Sequence, residues 1–339
     1  MILLALAALV AVVGCSPSRN GGAGGGAPAR AKAAPSGARL RVVLVPKVRG
    51  IDYFNAVEKG AREAANELDL ELQFDGPTED NPERQAEIVE TWIARRANVI
   101  GVACNDPSAI APVLKKARMA GIHVITFDAD STKEAREFFV NQAPADAIGT
   151  TLVDVMAKEA GEDAKTAIIT STLEAPNQNT WIKHMRERIK TKYPKMSIVT
   201  VEPSQENQQK AAAATQSVLK SHPEVTGFFA ITSEAFPGTA GAVKEAGKAG
   251  KVAVTGLSTP KSMKEYVKNG TVKTIVLWNP VDLGYLTMHA GKALIDGNLK
   301  PGVKSIKAGR LGECKIRGDE VLLGDPVQFT KDNIDKFDF

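Results

Sequence analysis

From about residue 40 onward, short apolar runs alternate with longer stretches in which apolar residues recur every three or four positions. The runs predict strands over 41–46 (RVVLVP), 71–74, 99–103 (VIGVA), 123–127 (HVITF), 166–170 (TAIIT), 197–201, 227–231 (GFFAI), 252–256 and 274–278 (TIVLW). Several are apolar without interruption, as expected of strands covered on both faces. The periodic stretches predict helices over 54–68, 82–95, 110–120, 145–160, 179–192, 205–221, 236–246, 262–269 and 283–296. Asn81-Pro82 and Asp106-Pro107 each set a cap residue before a proline, and Gly121, Gly247 and Gly270 fall where helices should stop. Such strand–helix repetition predicts parallel sheets joined by right-handed crossovers. Changes of register near 140–142 and 278–279 divide the strands into two sheets. No short-period repeat is present, which excludes a solenoid.

In open parallel sheets, ligands bind beyond the carboxyl ends of the strands. The residues at those ends are polar and varied: Lys47, Asn105-Asp106, Asp128-Ala-Asp130, Asn141-Gln142, Ser171-Thr172, Thr232-Ser233-Glu234, Ser258-Thr259 and Asn279. Two sheets with such ends facing one another make a cleft lined by hydrogen-bonding groups. Sugar hydroxyls both donate and accept, so a sugar site needs carboxylates and amides, and an apolar surface for the C–H side of the ring. Asp128, Asp130, Gln178, Asn179 and Asn279 can supply the first; Tyr53, Phe54, Phe236, Trp181 or Trp278 can supply the second. Each has a plainer role open to it: an Asp after a strand is often a helix cap, and an aromatic at a helix start is often core.

Asp128 and Asp130 could also be a catalytic pair or a metal site. No second group of His, Cys or carboxylate has ligand spacing and the four His are scattered, so no metal is expected. Glycoside hydrolysis needs paired carboxylates across a cleft, with Glu234 as the one candidate partner. The chain carries no G-x-S-x-G, no Cys/His motif and no Walker loop; Gly238-Thr-Ala-Gly241 lacks a P-loop lysine. A non-enzyme without cofactor is the expectation.

Composition fits this picture: 43% hydrophobic and 24% charged residues are ordinary for a globular chain. The net charge of +4 comes from interspersed acids and bases, which gives no nucleic-acid surface. The first fourteen residues, MILLALAALVAVVG, are apolar and end at Cys15. A bilayer span needs about 20 residues, so this run matches a signal-peptide core instead. Val12-Val-Gly-Cys15 resembles the bacterial lipobox, in which the cysteine is lipidated, although no Lys or Arg precedes the run. Residues 16–36 are Gly, Ala, Pro, Ser and a few basic residues, a composition expected to form a tether. Of the other two cysteines, Cys104 and Cys314, free buried thiols are expected, a bridge being the alternative.

The segments Val45-Pro-Lys47, Tyr53-Phe54, Phe74-Asp-Gly-Pro-Thr78, Phe127-Asp-Ala-Asp130 and Val140-Asn-Gln142 form a recognisable set with several later ones. Those are Asn177-Gln-Asn-Thr-Trp181, Ala235-Phe-Pro-Gly238, Leu257-Ser-Thr-Pro260, Leu277-Trp-Asn279 and the terminal FTKDNIDKF. From end to end the mature chain resembles a class I periplasmic binding protein of the ribose-binding type, within the subgroup of rhamnose and autoinducer-2 receptors. The resemblance implies an α/β fold of two Rossmann-like lobes with parallel sheets, the periplasmic binding protein-like type I arrangement, closing on ligand about three hinge crossings. After the leader over 1–14 and the lipidated Cys15 and tether over 15–38 read above, the expected lobes are an N-terminal one of 39–141 with 280–322 and a C-terminal one of 142–279 with 323–339. The resemblance further implies a monomer in the periplasm or at the cell surface, held to the membrane only by its lipid, delivering a sugar to the permease and ATPase subunits of an ABC importer.

Carried over residue by residue, the autoinducer-2 receptors' ligand set falls on Lys47, Asp128, Asp130, Asn177, Gln178, Pro237 and Thr239. With Tyr53, Phe54, Ser233, Phe236, Ser258 and Asn279, these are the expected ligand-binding residues. Two positions depart from the autoinducer-2 pattern: Asn177 and Asn279 stand where it has Asp. An amide donates as well as accepts, so the hydroxyl pattern read here differs. Asn177-Gln-Asn and Leu277-Trp-Asn-Pro-Val-Asp282 resemble the rhamnose receptors more. A rhamnose-like deoxysugar is therefore the expected ligand, autoinducer-2 the alternative, and a sensor subunit serving a chemoreceptor or kinase a further reading. A transcription regulator of this fold would open with a helix-turn-helix, where this chain has its apolar leader.

Overall fold

The computed structural model describes residues 39–339; the leader, lipidated Cys15 and tether expected over 1–38 lie outside the described residues. Strands β1 to β5 are Arg41–Val45, Glu71–Phe74, Val99–Val102, His123–Phe127 and Phe138–Asn141, and β6 to β10 are Lys165–Thr170, Ser197–Pro203, Gly227–Ala230, Ala253–Gly256 and Ile275–Leu277. Four more follow, β11 to β14: Ser305–Lys307, Glu313–Arg317, Glu320–Leu322 and Val327–Phe329. Helices α1 to α5 are Asp52–Glu67, Pro82–Ala94, Pro107–Met119, Ala145–Ala160 and Pro176–Lys192, and α6 to α9 are Gln208–Ser221, Ala235–Glu245, Pro260–Lys268 and Pro280–Ile295.

One lobe is built on an eight-stranded sheet in the order β11-β12-β13-β5-β4-β3-β1-β2, the other on a six-stranded sheet in the order β14-β10-β9-β8-β6-β7. The chain passes between them after β5, after β10 and after β13. Both sheets are parallel through their middles and mixed at one edge. There β11–β12 and β12–β13 pair antiparallel in one sheet, and β10–β14 in the other. The expected parallel sheets are present, and the antiparallel edges add to them strands that are mostly three residues long and carry little apolar signal.

The apolar runs behave as two-faced strands. Val42 and Leu44 of β1 point into one core and Val43 and Val45 into a second on the opposite face of the same sheet. The cap signals also act as read. Asn81 accepts from the Arg84 backbone N–H at 2.8 Å, and Asp106 accepts from those of Ser108 and Ala109 at 2.7 Å. Because Asp106-Pro107 starts α3, that helix begins three residues earlier than its apolar period suggested.

One packing contact positions the site directly. Helix α9, which the chain enters straight from β10, crosses α1 so closely that each contributes a glycine. A Cβ on Gly60 would collide with the Val281 carbonyl, and one on Gly284 with the Val57 carbonyl. Only glycine permits this approach, and it holds the start of α1, with Tyr53 and Phe54, against the segment leaving Trp278.

Candidate ligand-binding site

Between the strand ends of the two sheets lies a cavity of about 400 Å³, counting its open mouth. The first lobe contributes Lys47, Ile51, Tyr53, Phe54 and Asp128; the second contributes Asn177, Gln178, Trp181, Glu206, Ile231, Thr232, Ser233 and Leu257; Leu277 and Trp278 lie at a crossing between lobes. The positions follow from topology. Lys47 follows β1 and Asp128 follows β4, while Thr232 and Ser233 follow β8. The two sheets reverse strand order at β1/β3 and β6/β8, the places where open α/β sheets gather ligands.

Asp128 owes its aim to a sharp turn. Its φ is 61°, and Ala129 N–H closes back on the Phe127 carbonyl at 2.6 Å. A non-glycine residue rarely takes this conformation, and such residues cluster at functional sites. The buried Asp128 carboxylate accepts from the Tyr53 hydroxyl at 2.7 Å, and that hydroxyl accepts from Trp278 Nε1 at 2.9 Å. The Tyr53 and Trp278 rings meet edge-on, centroids 6.1 Å apart, and Trp181 tilts against Trp278 at 5.9 Å. Burial pushes the Asp128 carboxyl up, opposed by Lys47 and then by the Tyr53 hydroxyl. Burial, and next the charge of Asp128, hold Tyr53 well above its usual range, so it stays a neutral donor.

Across the cavity, Lys47 Nζ donates to Asn177 Oδ1 at 3.1 Å, linking one lobe to the other. Gln178 lines the cavity but its Oε1 accepts from the Thr170 hydroxyl and, at 2.7 Å, from Ser171 N–H, which fixes the end of β6. Glu206 Oε2 accepts from the Thr232 hydroxyl, and burial pushes the Glu206 carboxyl up to about 7 against the opposing pull of Lys47. The cavity thus joins a lysine, two acids, an amide pair and hydroxyls to an apolar side formed by Ile51, Phe54, Ile231, Leu257 and Leu277.

Seven of the expected residues meet here: Lys47, Tyr53, Phe54, Asp128, Asn177, Gln178 and Ser233. The other six lie outside the lining. Asp130 lines an adjoining hollow with Asp128, Asn177 and Trp181 and is held in a half-buried ion pair, taking Arg136 Nε at 3.0 Å and the second guanidinium nitrogen at 2.6 Å, while Arg136 also binds Asp319. Phe236, Pro237 and Thr239 are buried within α7, where the Thr239 hydroxyl meets that of Thr215 at 3.1 Å. Ser258 donates to the Ser233 carbonyl at 2.9 Å. Asn279 caps α9, accepting from Val281 and Asp282 N–H and donating to Asp282 Oδ2 at 2.7 Å.

Sequence reasoning missed Glu206 and the aliphatic residues Ile51, Ile231, Leu257 and Leu277. Glu206 was placed inside a helix over 205–221, but α6 starts only after Asn207, whose side chain caps Lys210 N–H at 2.9 Å. Asn207 as a cap was the available signal. Cys104 and Cys314 are free and buried, as expected. Among the described residues no cluster of His, Cys, Asp and Glu could hold a metal.

A two-lobed α/β chain with its cavity between opposed strand ends defines the class, and sequence comparison agrees: a family model described as the periplasmic binding protein domain matches residues 42–299. The chain belongs to the periplasmic binding protein family. Among its relatives is the ribose import binding protein of Salmonella typhimurium, 24% identical over 77% of this chain and 86% of that one. A sugar ABC transporter structure from Actinomyces odontolyticus is 35% identical, covering 88% of this chain and 97% of that one, with a TM-score of 0.71. A solute-binding protein from Clostridium phytofermentas with bound L-rhamnose is 26% identical, covering 88% and 98%, with a TM-score of 0.85.

Proposed function

We propose that this chain is the substrate-binding component of an ABC importer, that it takes a monosaccharide into the cavity between its lobes, and that the favoured ligand is a rhamnose-like deoxysugar. The carrying observation is the lining itself, with polar strand ends from both lobes on one side and an aromatic–aliphatic surface on the other. Asp128, Lys47 and Asn177 can bond adjacent ring hydroxyls. The Phe54–Trp278 side can take the C–H face, and the deoxysugar's methyl group has Ile51, Phe54 or Leu277 to pack against. The relatives named for ribose import and for bound L-rhamnose support the same ligand class.

On this reading the protein works in the periplasm or at the cell surface as a lipid-anchored monomer, through Cys15, and presents its closed form to separate permease and ATPase subunits. The lobes comprise 39–141 with 280–322 and 142–279 with 323–339, a division supported by sheet membership. Closure brings Lys47 to Asn177, so ligand and interlobe bond stabilise one state together. The protein carries ligand without transforming it.

The test is a thermal-shift and calorimetric panel of L-rhamnose, other deoxyhexoses, pentoses, D-ribose and autoinducer-2. A ligand that binds only the folded state raises the melting temperature. A shift with L-rhamnose or a related monosaccharide is expected. A shift with autoinducer-2 alone would overturn the ligand class, and no shift with any compound would overturn the receptor reading.

A further inference from the structure

Glu206 is the cavity residue whose placement is hardest to explain as packing. It and Gln205 both adopt left-handed backbone, φ 48° and 54°, two successive non-glycine residues in a region that L-residues avoid. The loop is tied to the end of β6 on three counts: Ser204 N–H and its hydroxyl both reach the Thr170 carbonyl at 2.8 Å, and Gln205 N–H reaches the Ser171 carbonyl at 2.7 Å. Asn207 then opens α6 at once. This arrangement turns the Glu206 carboxylate into the cavity, where the Thr232 hydroxyl from the end of β8 fixes Oε2 and leaves Oε1 for another donor.

We propose that Glu206 is a specificity-determining residue of this cavity, whose ionised carboxylate accepts a hydroxyl of the bound sugar, so that binding tightens as Glu206 loses its proton. The proposal rests on the sugar-receptor reading. A sugar hydroxyl is a better donor to a carboxylate than to a carboxylic acid, which has spent one oxygen as a donor itself. The groups around Glu206 set when that happens. Burial raises it most; Lys47, beyond β1, and the Thr232 hydroxyl pull it back; Asp80 ahead of α2 and Glu234 at the start of α7 push it up. The balance, about 7, lies at neutral pH. Lys47 acts on Asp128 in the same sense, so one cation serves two acids, and a ligand hydroxyl at Glu206 supplies what the lysine cannot supply to both.

The experiment is calorimetric titration of the protein with L-rhamnose and with D-ribose at acid, neutral and alkaline pH, on wild type, Glu206→Gln and Glu206→Asp. A group that must be ionised loses up to tenfold in affinity for each pH unit below its midpoint, so wild type should bind roughly tenfold or more weaker at pH ~5.5 than at pH ~8.5. Glu206→Gln, which mimics the protonated acid, should bind weakly and lose that pH dependence; Glu206→Asp should keep a pH dependence with a displaced midpoint. A flat wild-type profile overturns the proposal whatever the variants do. So does a wild-type-like profile in Glu206→Gln, which would assign the titration to Asp128. Binding of neither sugar at any pH would instead remove the sugar-receptor reading, and this proposal with it.

Discussion

On one wall of the cavity, Asp128 and Tyr53 of the first lobe and Trp278 at the crossing hold one another in a chain of 2.7 and 2.9 Å hydrogen bonds, and the rings brace the chain edge-on. The second-lobe wall presents Glu206 on a strained loop with a single hydroxyl partner, and Asn177 shared with Lys47 from across the gap. The first wall is a surface made ready before ligand arrives, with its donors and acceptors already oriented. The second carries the carboxyl that burial raises to about 7 and an amide bonded across the gap to Lys47. Affinity should therefore depend most on the first wall, and its variation with pH and closure on the second.

The sharpest challenge to the first wall comes from the acid two residues beyond it. Asp130→Ala takes one partner from Arg136, whose side chain is 1% exposed, and should cost about 2–3 kcal/mol of stability, below the range for a fully buried pair because Asp130 is 26% exposed and Asp319 remains. Sugar affinity should stay within about 0.5 kcal/mol. Chemical denaturation and calorimetry together check this, and a large loss of affinity with stability intact would return Asp130 to the site.

Asp128→Ala should do the reverse, lowering affinity by about 1.5–3 kcal/mol, since a charged acceptor is lost and the Tyr53 hydroxyl is left without its partner. Titration calorimetry reads the effect.

On the second wall, Glu206→Gln without ligand should make the protein more stable at pH ~8 by about 1–3 kcal/mol and leave it nearly unchanged at pH ~4. The sign follows from the carboxyl being raised from 4.5 in the unfolded chain to about 7 in the folded protein. The folded state then holds the proton more tightly, a contribution present in full below 4.5 and lost as pH rises through about 7. Urea unfolding across that range would show it, and identical pH profiles for variant and wild type would exclude it. The smallest effect belongs to Asn177→Ala, which removes one interlobe hydrogen bond worth about 0.5–1.5 kcal/mol and should be visible as faster ligand release in stopped-flow fluorescence of Trp181 and Trp278.

The alternation of apolar runs and helical periods was sufficient to read the architecture, because each strand of the sheet middles is buried on both faces and says so in its composition. Lys47 and Asp128 were legible for the same reason: they follow such strands directly. What escaped depended on geometry that has no period. Asp130 looks like Asp128 in sequence, yet the turn at Asp128 leaves the next acid beside the cavity, paired with an arginine six residues on. Asn279 is a residue of the right chemistry at a strand end that the following helix uses as its cap. Phe236, Pro237 and Thr239 are turned into the body of α7, a matter of helix rotation. Glu206 lay hidden in an apparent helix whose first turn is replaced by left-handed backbone.

The most direct measurement is a crystal structure of the protein with the monosaccharide that calorimetry selects. The account predicts a single sugar between Asp128 of one lobe and Asn177 of the other, with its apolar face toward Trp278 or Phe54. A sugar bound outside this cavity, or touching one lobe alone while the lobes stay apart, would contradict it.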